Sequence, residues 1–182
     1  MAYRRTIFVF LRRIKQLTKQ QRLVTQFIVL GFAALVVFLD QLSKALVIQN
    51  FAPGKLAPMI GEIVQFNLVF NDSAAFSIGF GATGVFTVIS SLATLVFLWL
   101  SRKVETKSWA MILGVALGGV VGNLIDRLTR EPGFGVGWVV DFIQIPFNFP
   151  IFNLADTFLV TAVVLAILLT LRGDEIGGGR AK

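Results

Sequence analysis

The run DTFLVTAVVLAILLTLR, residues 156–172, decides the fold. Between Asp156 and Arg172 it carries no charge, and wound as a helix it is apolar on every side. Such a helix belongs in lipid or deep in a large core. The 16 steps from Asp156 to Arg172 span about 24 Å of helix, short of the roughly 30 Å hydrocarbon core of a bilayer. If Arg172 marks one boundary, Asp156 sits just inside the other. A charged group at that depth is costly and calls for a partner or a function.

Three further charge-free runs have the same character. One lies between Arg22 and Asp40, where residues 24–39 are almost wholly apolar and 41–47 extend them. A second lies between Asp72 and Arg102, with its helix at 84–100, and a third between Lys107 and Asp126, starting at Trp109. A soluble helical bundle is the alternative, but only 15% of the 182 residues are charged and 55% are hydrophobic. Soluble domains carry about a quarter charged residues. The mean hydropathy is +0.79. The length fits one domain.

The net charge of +7 suggests nucleic acid until its distribution is read. Thirteen of the 17 basic residues fall in three short segments: before the first span, in the 101–108 loop, and from Arg172 onward. With four spans all three lie on one side, which the positive-inside rule makes the cytoplasm. Both termini are then cytoplasmic. The opposite side and its helix ends hold Asp40, Glu62, Asp72, Asp126, Glu131, Asp141 and Asp156 against Lys44, Lys55, Arg127 and Arg130, a net charge of −3. The expected fold is membrane all-α with a small β element: four transmembrane helices in a single domain over 23–172. A basic amphipathic extension at 1–22 precedes it and a flexible tail at 173–182 follows. The first span lacks a small-x-small cleavage site and carries Asp40 and Lys44 at its far end, so it reads as retained rather than as a signal peptide.

Two outer segments carry strand patterns. EIVQFNLVF, 62–70, is rich in β-branched and aromatic residues and runs into Asn71-Asp72; WVVDFIQI, 138–145, reads the same way. A small sheet on the outer membrane face is expected. Gly114, Gly118 and Gly122, four apart on the third span, form a close-packing face.

The chain contains neither cysteine nor histidine. Thiol nucleophiles, Ser-His pairs and histidine-ligated zinc are excluded, and no cofactor or metal is called for. Asp141 is an acid inside the apolar strand pattern, either paired or catalytic. Asp156 is a cap, an interhelical partner or a catalyst, and the apolar run before it weakens the cap. Pro146 and Pro150 can fold the two together. Facing carboxylates share one proton, so one can activate a water while the other donates to a carbonyl oxygen, hydrolysing an amide. Asn71, Asn123 and Asn153 each lie beside an acid, suited to orienting a carboxylate or holding a peptide backbone. Asp126-Arg127 reads as an ion pair or a substrate clamp. Asp40 and Lys44, four apart on one helix face, read as an ion pair. Ser43 and Lys44 as a Ser–Lys pair point about 100° apart and do not face each other. A transporter would place its acids nearer the midplane, and a non-enzymatic assembly factor would tolerate loss of either aspartate.

The chain resembles the bacterial lipoprotein signal peptidases, the type II enzymes. The resemblance rests on DQLSK (40–44), NDSAAFS (71–77), GGVVGNLIDR (118–127), VVDF (139–142) and FNLAD (152–156), in the family's order over about residues 24–172. It implies a small extracytoplasmic β-cradle and a catalytic pair, Asp141 and Asp156. It also implies substrate-binding or site-supporting roles for Asp40, Lys44, Asn71, Asn123, Asp126, Arg127 and Asn153. The substrates implied are prolipoproteins whose cysteine already carries diacylglycerol, cut just before that cysteine, and globomycin-type peptides would inhibit. Membrane phospholipid and the lipidated substrate are the partners expected of a monomer in the bacterial inner membrane, its active site near the outer face. Ser73 stands where the family usually has glycine. The outer segment 48–83 is expected to help gate lateral access.

Overall fold

A computed structural model describes residues 19–72 and 83–177. Helix α1 (Lys19–Asn50) is followed by strands β1 (Leu56–Ile60) and β2 (Val64–Asn71), helices α2 (Thr83–Ser101) and α3 (Lys107–Thr129), strand β3 (Val139–Gln144) and helix α4 (Leu154–Leu171). All four helices are long and apolar enough to cross a membrane. The strands form one antiparallel sheet in the order β1–β2–β3. Most of the 1–22 extension, Ser73, the last part of the 48–83 segment and the end of the tail lie outside the described residues.

The four expected spans and two expected strands are present. β1, LAPMI, is an addition: it is short, holds Pro58, and pairs only with β2 at the edge of the sheet, where proline is tolerated. α3 begins at Lys107 because Thr106 caps it, accepting from the Trp109 backbone N–H at 3.3 Å. α1 runs unbroken through residues 22 and 23. Residues 174 and 176, at the beginning of the tail, are hydrogen-bonded to α3 and the 101–108 loop. Glu105 N donates to Ile176 O at 3.1 Å, and Trp109 Nε1 to Asp174 O at 3.2 Å.

α1 and α3 pack side by side and parallel. A Cβ on Gly118 would lie 2.6 Å from Val36 Cβ, and one on Gly122 would lie 2.7 Å from Asp40 Oδ2. The glycine face thus brings the acid end of α1 against α3, a close approach that larger residues forbid. Gly119 faces the other way, its Cβ position 2.6 Å from Ala155 O at the start of α4. The outward faces of α2 and α4 stay exposed and apolar, as with Val88, Leu92, Val163 and Ile167. That is the surface lipid tails would cover.

Two apolar clusters flank a polar layer along α1. Val29 and Ala33 pack with Trp109, Leu113 and Leu117 toward one end, and Val47 packs with Leu68, Val140 and Phe142 beneath the sheet. Between them Asp40, Lys44, Asp126 and Asn153 are fully buried. The chain after β3 folds back on itself: Phe142 N and Ile143 N donate to Phe152 O at 3.0 and 2.8 Å, and Phe152 N to Ile143 O at 3.1 Å. The turn passes through the left-handed region at Phe147 (φ 70°) and Asn148 (φ 53°). This fold-back delivers Asp141 and Asp156 to one place.

Candidate active site

Asp141 reaches the site from β3. On that strand Val140 and Phe142 enter the apolar cluster, while Val139 and Asp141 line a cavity on the other face, as strand alternation requires. Val69 stands opposite Asp141 and Asn71 opposite Val139. Asn71 is thus the diagonal neighbour of the acid, and its Nδ2 donates to Asp141 Oδ2 at 2.7 Å.

Asp156 reaches the site from the first turn of α4. Asn153 caps that helix: Asp156 N donates to Asn153 Oδ1 at 3.0 Å, and Asn153 N donates to Asp156 Oδ2 at 3.2 Å. The apolar residues before Asp156 therefore do not prevent a cap, because Asn153 interrupts them and forms a capping box with Asp156. Asp156 Oδ1 accepts from Asn123 Nδ2 on α3 at 2.7 Å. Asn153 Nδ2 donates to Asp141 Oδ1 at 2.7 Å and to Asn123 Oδ1 at 2.9 Å. Each of the four carboxylate oxygens thus accepts one donor, and Asn153 serves both acids.

Two of the three asparagines do not serve the acids beside them in sequence, while Asn153 does bond its neighbour Asp156. Asn71 orients Asp141, not Asp72, and Asn123 orients Asp156, not Asp126. Asp126 lies in a second, fully buried cluster with Lys44 and Asp40. Lys44 Nζ is 2.8 Å from Asp40 Oδ2, 2.8 Å from Asp126 Oδ2 and 3.0 Å from Asn123 Oδ1. The other Asp126 oxygen accepts from Arg130 Nε at 2.6 Å. Asp126 therefore pairs with Lys44 and Arg130, and the Asp126–Arg127 ion pair, one of the two readings of that dipeptide, does not form. Neighbours on a helix point about 100° apart, whereas residues four apart share a face. Arg127 turns to the cavity, with Nη1 3.4 Å from Asn123 O and Nε buried without a hydrogen bond.

Two members were missed in the sequence. Arg130 had a signal, the same four-residue spacing from Asp126 that joins Lys44 to Asp40. Gln41 had none beyond its place in DQLSK; its Nε2 lies 3.1 Å from Asp40 Oδ2, Gly122 O and Asp126 Oδ1.

The cavity, of about 580 Å³, is lined by Asn71, Asn123, Arg127, Asp141 and Asp156 on its polar side. Val139, Phe149, Phe152, Thr157, Val160 and Thr161 make most of the rest. Burial and the nearby Asp156 charge push the Asp141 carboxyl up to about 7, against the opposing hydrogen bonds from Asn71 and Asn153. Two carboxylates in one apolar cavity, one of them still protonated near neutrality, are equipped to activate a water and polarise a carbonyl. Ser43 is engaged elsewhere, its Oγ donating to Asp40 O at 2.8 Å, and Lys44 is held by the acids, so no Ser–Lys pair forms.

A family model described as Signal peptidase (SPase) II matches residues 32–172. The lipoprotein signal peptidase of Leifsonia xyli subsp. xyli is 44% identical over 156 residues, covering 85% of this chain and 72% of its own. That of Mycobacterium leprae is 38% identical over 158 residues, with 85% and 78% covered. A solved bacterial membrane enzyme superposes with a TM-score of 0.71 at 27% identity, covering 79% of this chain and 87% of its own. The chain belongs to the signal peptidase II family and is a multi-pass membrane peptidase.

Proposed function

We propose that the chain is an intramembrane aspartic endopeptidase that removes signal peptides from diacylglyceryl-modified prolipoproteins, cutting just before the lipidated cysteine. One observation carries the mechanism: Asp141 and Asp156 open onto the same cavity and are tied to the same Asn153. In a chain without histidine or cysteine, this pair is the available acid–base couple.

Asp141 holds the proton. The single negative charge of the pair rests best on Asp156, which faces the N-terminus of α4. As a water attacks the scissile carbonyl carbon, its proton passes to Asp156, and Asp141 gives its own proton to the carbonyl oxygen. The tetrahedral diol then collapses. Asp156 returns a proton to the amide nitrogen, the C–N bond breaks, and Asp141 takes a proton from a diol oxygen. Both groups end as they began. Arg127, facing the cavity with hydrogen-bonding capacity to spare, is placed to hold a substrate carbonyl.

The basic 101–108 loop and tail support a topology in the bacterial inner membrane with their end of the bundle, and both termini, on the cytoplasmic side. The sheet and dyad then lie at the outer face. There a diacylglyceryl cysteine, anchored in the outer leaflet, presents its scissile bond just below the headgroups. The single chain holds a complete dyad and acts as a monomer.

The test uses the purified chain in lipid vesicles with one precursor in two forms, with and without diacylglycerol on its cysteine. Mass spectrometry should find the modified form cut before the cysteine and the unmodified form intact. A globomycin-type peptide should block the cut. Equal cleavage of both forms would overturn the substrate assignment.

A further inference from the structure

The dyad chemistry gives Lys44 no part, although it is the largest fully buried side chain in the described residues and lies outside the cavity lining. We propose that Lys44 is a positioning residue whose ammonium locks the Asn123 side-chain amide in the one orientation that donates to Asp156. This inference rests on the dyad reading above.

An ammonium has three N–H groups and no acceptor. Lys44 finds three acceptors, one each from Asp40, Asp126 and Asn123. Two of them are carboxylates that hold the nitrogen in place, so the third contact is fixed in space. Asn123 Oδ1 then receives two donors, Lys44 Nζ at 3.0 Å and Asn153 Nδ2 at 2.9 Å. Its NH₂ group is left to face Asp156 Oδ1, 2.7 Å away. Turned over, the amide would set its NH₂ against two donors and its oxygen against a carboxylate. Asn153 cannot turn to relieve this, because its own oxygen is committed to the Asp156 backbone N–H. Asn153 is thus fixed by a helix N-terminus, and Asn123 by Lys44 together with Asn153. The pair Lys44–Asn123 links the charge cluster of α1 and α3 to the base of the dyad.

A competing role is charge compensation for Asp40 and Asp126, and Lys44→Met alone would confound the two by leaving buried acids unpaired. The discriminating variants are Asp40→Asn/Lys44→Gln and Asp40→Asn/Lys44→Met. Both leave Asp126 paired with Arg130 and carry the same net charge. They differ in whether position 44 offers an N–H, which in glutamine sits one bond short of the lysine nitrogen and closes with a small shift. Thermal unfolding in vesicles, kcat and KM for the lipidated precursor are measured for both. The two should melt together and share KM, while kcat in the methionine variant falls at least about tenfold below the glutamine variant, roughly 1.4 kcal/mol of barrier. Equal kcat would overturn the lock. So would a methionine variant that melts far lower while its folded fraction turns over at the glutamine rate. Asp141→Asn in the same preparation separates the two levels: if it cleaves normally, the dyad reading fails, whatever the double variants do.

Discussion

In the proposed mechanism Asp141 carries the proton, and its environment sets when that proton is lost. Burial and the Asp156 charge lift its carboxyl from 3.8 to about 7. The turnover rate should therefore fall as pH rises through about 7, because the acid member is then ionised; a pH–rate profile flat to roughly pH 9 would contradict this assignment. The same shift has a sign for stability. A raised carboxyl takes up a proton on folding, so its contribution is complete below pH 3.8 and is lost as pH rises through about 7. Ser43→Ala should keep substantial activity, since that hydroxyl is spent on the α1 backbone; complete loss of cleavage would revive a serine mechanism. At this scale the sequence pointed to Asp141 and Asp156, which the fold brings to one cavity, more readily than to what holds them. A charge count and a helix rise gave the expected depth of Asp156. The partners did not follow, because Asn71 and Asn123 reach acids far away in sequence, through strand register and helix packing.

The helices depend on a few contacts at their ends and crossings. Gly122→Ala would place a methyl carbon 2.7 Å from Asp40 Oδ2, pushing α1 off α3 and disturbing Lys44 with it. We expect a loss of about 1–3 kcal/mol, the usual cost of overpacking, read as a lower melting temperature together with reduced cleavage. A Gly122→Ala protein that melts and cleaves as the parent does would show that the crossing is looser than its geometry. Asn153→Ala removes the α4 cap, worth about 1 kcal/mol, and also a donor to Asp141. Its activity should fall far more than its stability, which a melt and a rate assay on one sample would separate. The four spans were legible because charge-free apolar length is a strong signal. So was the glycine face, because a spacing of four on one helix admits few readings. β1 was not, because a five-residue strand with an internal proline has no periodicity to read. The capping box was obscured by apolar neighbours, although Asn153 and Asp156 stand at the required spacing.

Across the whole molecule, polarity is sorted along the bundle axis. Asp40, Asp126, Asp141 and Asp156 gather where β2, β3 and the N-terminus of α4 meet, and Arg102, Lys103 and Lys107 lie at the other end with Glu105, Asp174 and Glu175. A chain without cysteine permits a clean test of orientation. In intact cells an impermeant maleimide should label Lys55→Cys and spare Arg102→Cys; the reverse pattern would invert the proposed topology. The basic segments suggested this orientation from sequence alone, since the bias is a property of loops and needs no packing. The site itself could not be assembled that way, because its members come from α1, β2, α3, β3 and α4 and meet only in the folded chain. The most direct measurement is cleavage of a diacylglyceryl-modified precursor by Asp141→Asn and Asp156→Asn proteins that melt as the parent does. We expect each to be inactive, since either change leaves one carboxyl to do the work of two; normal cleavage by either one would contradict the two-aspartate mechanism.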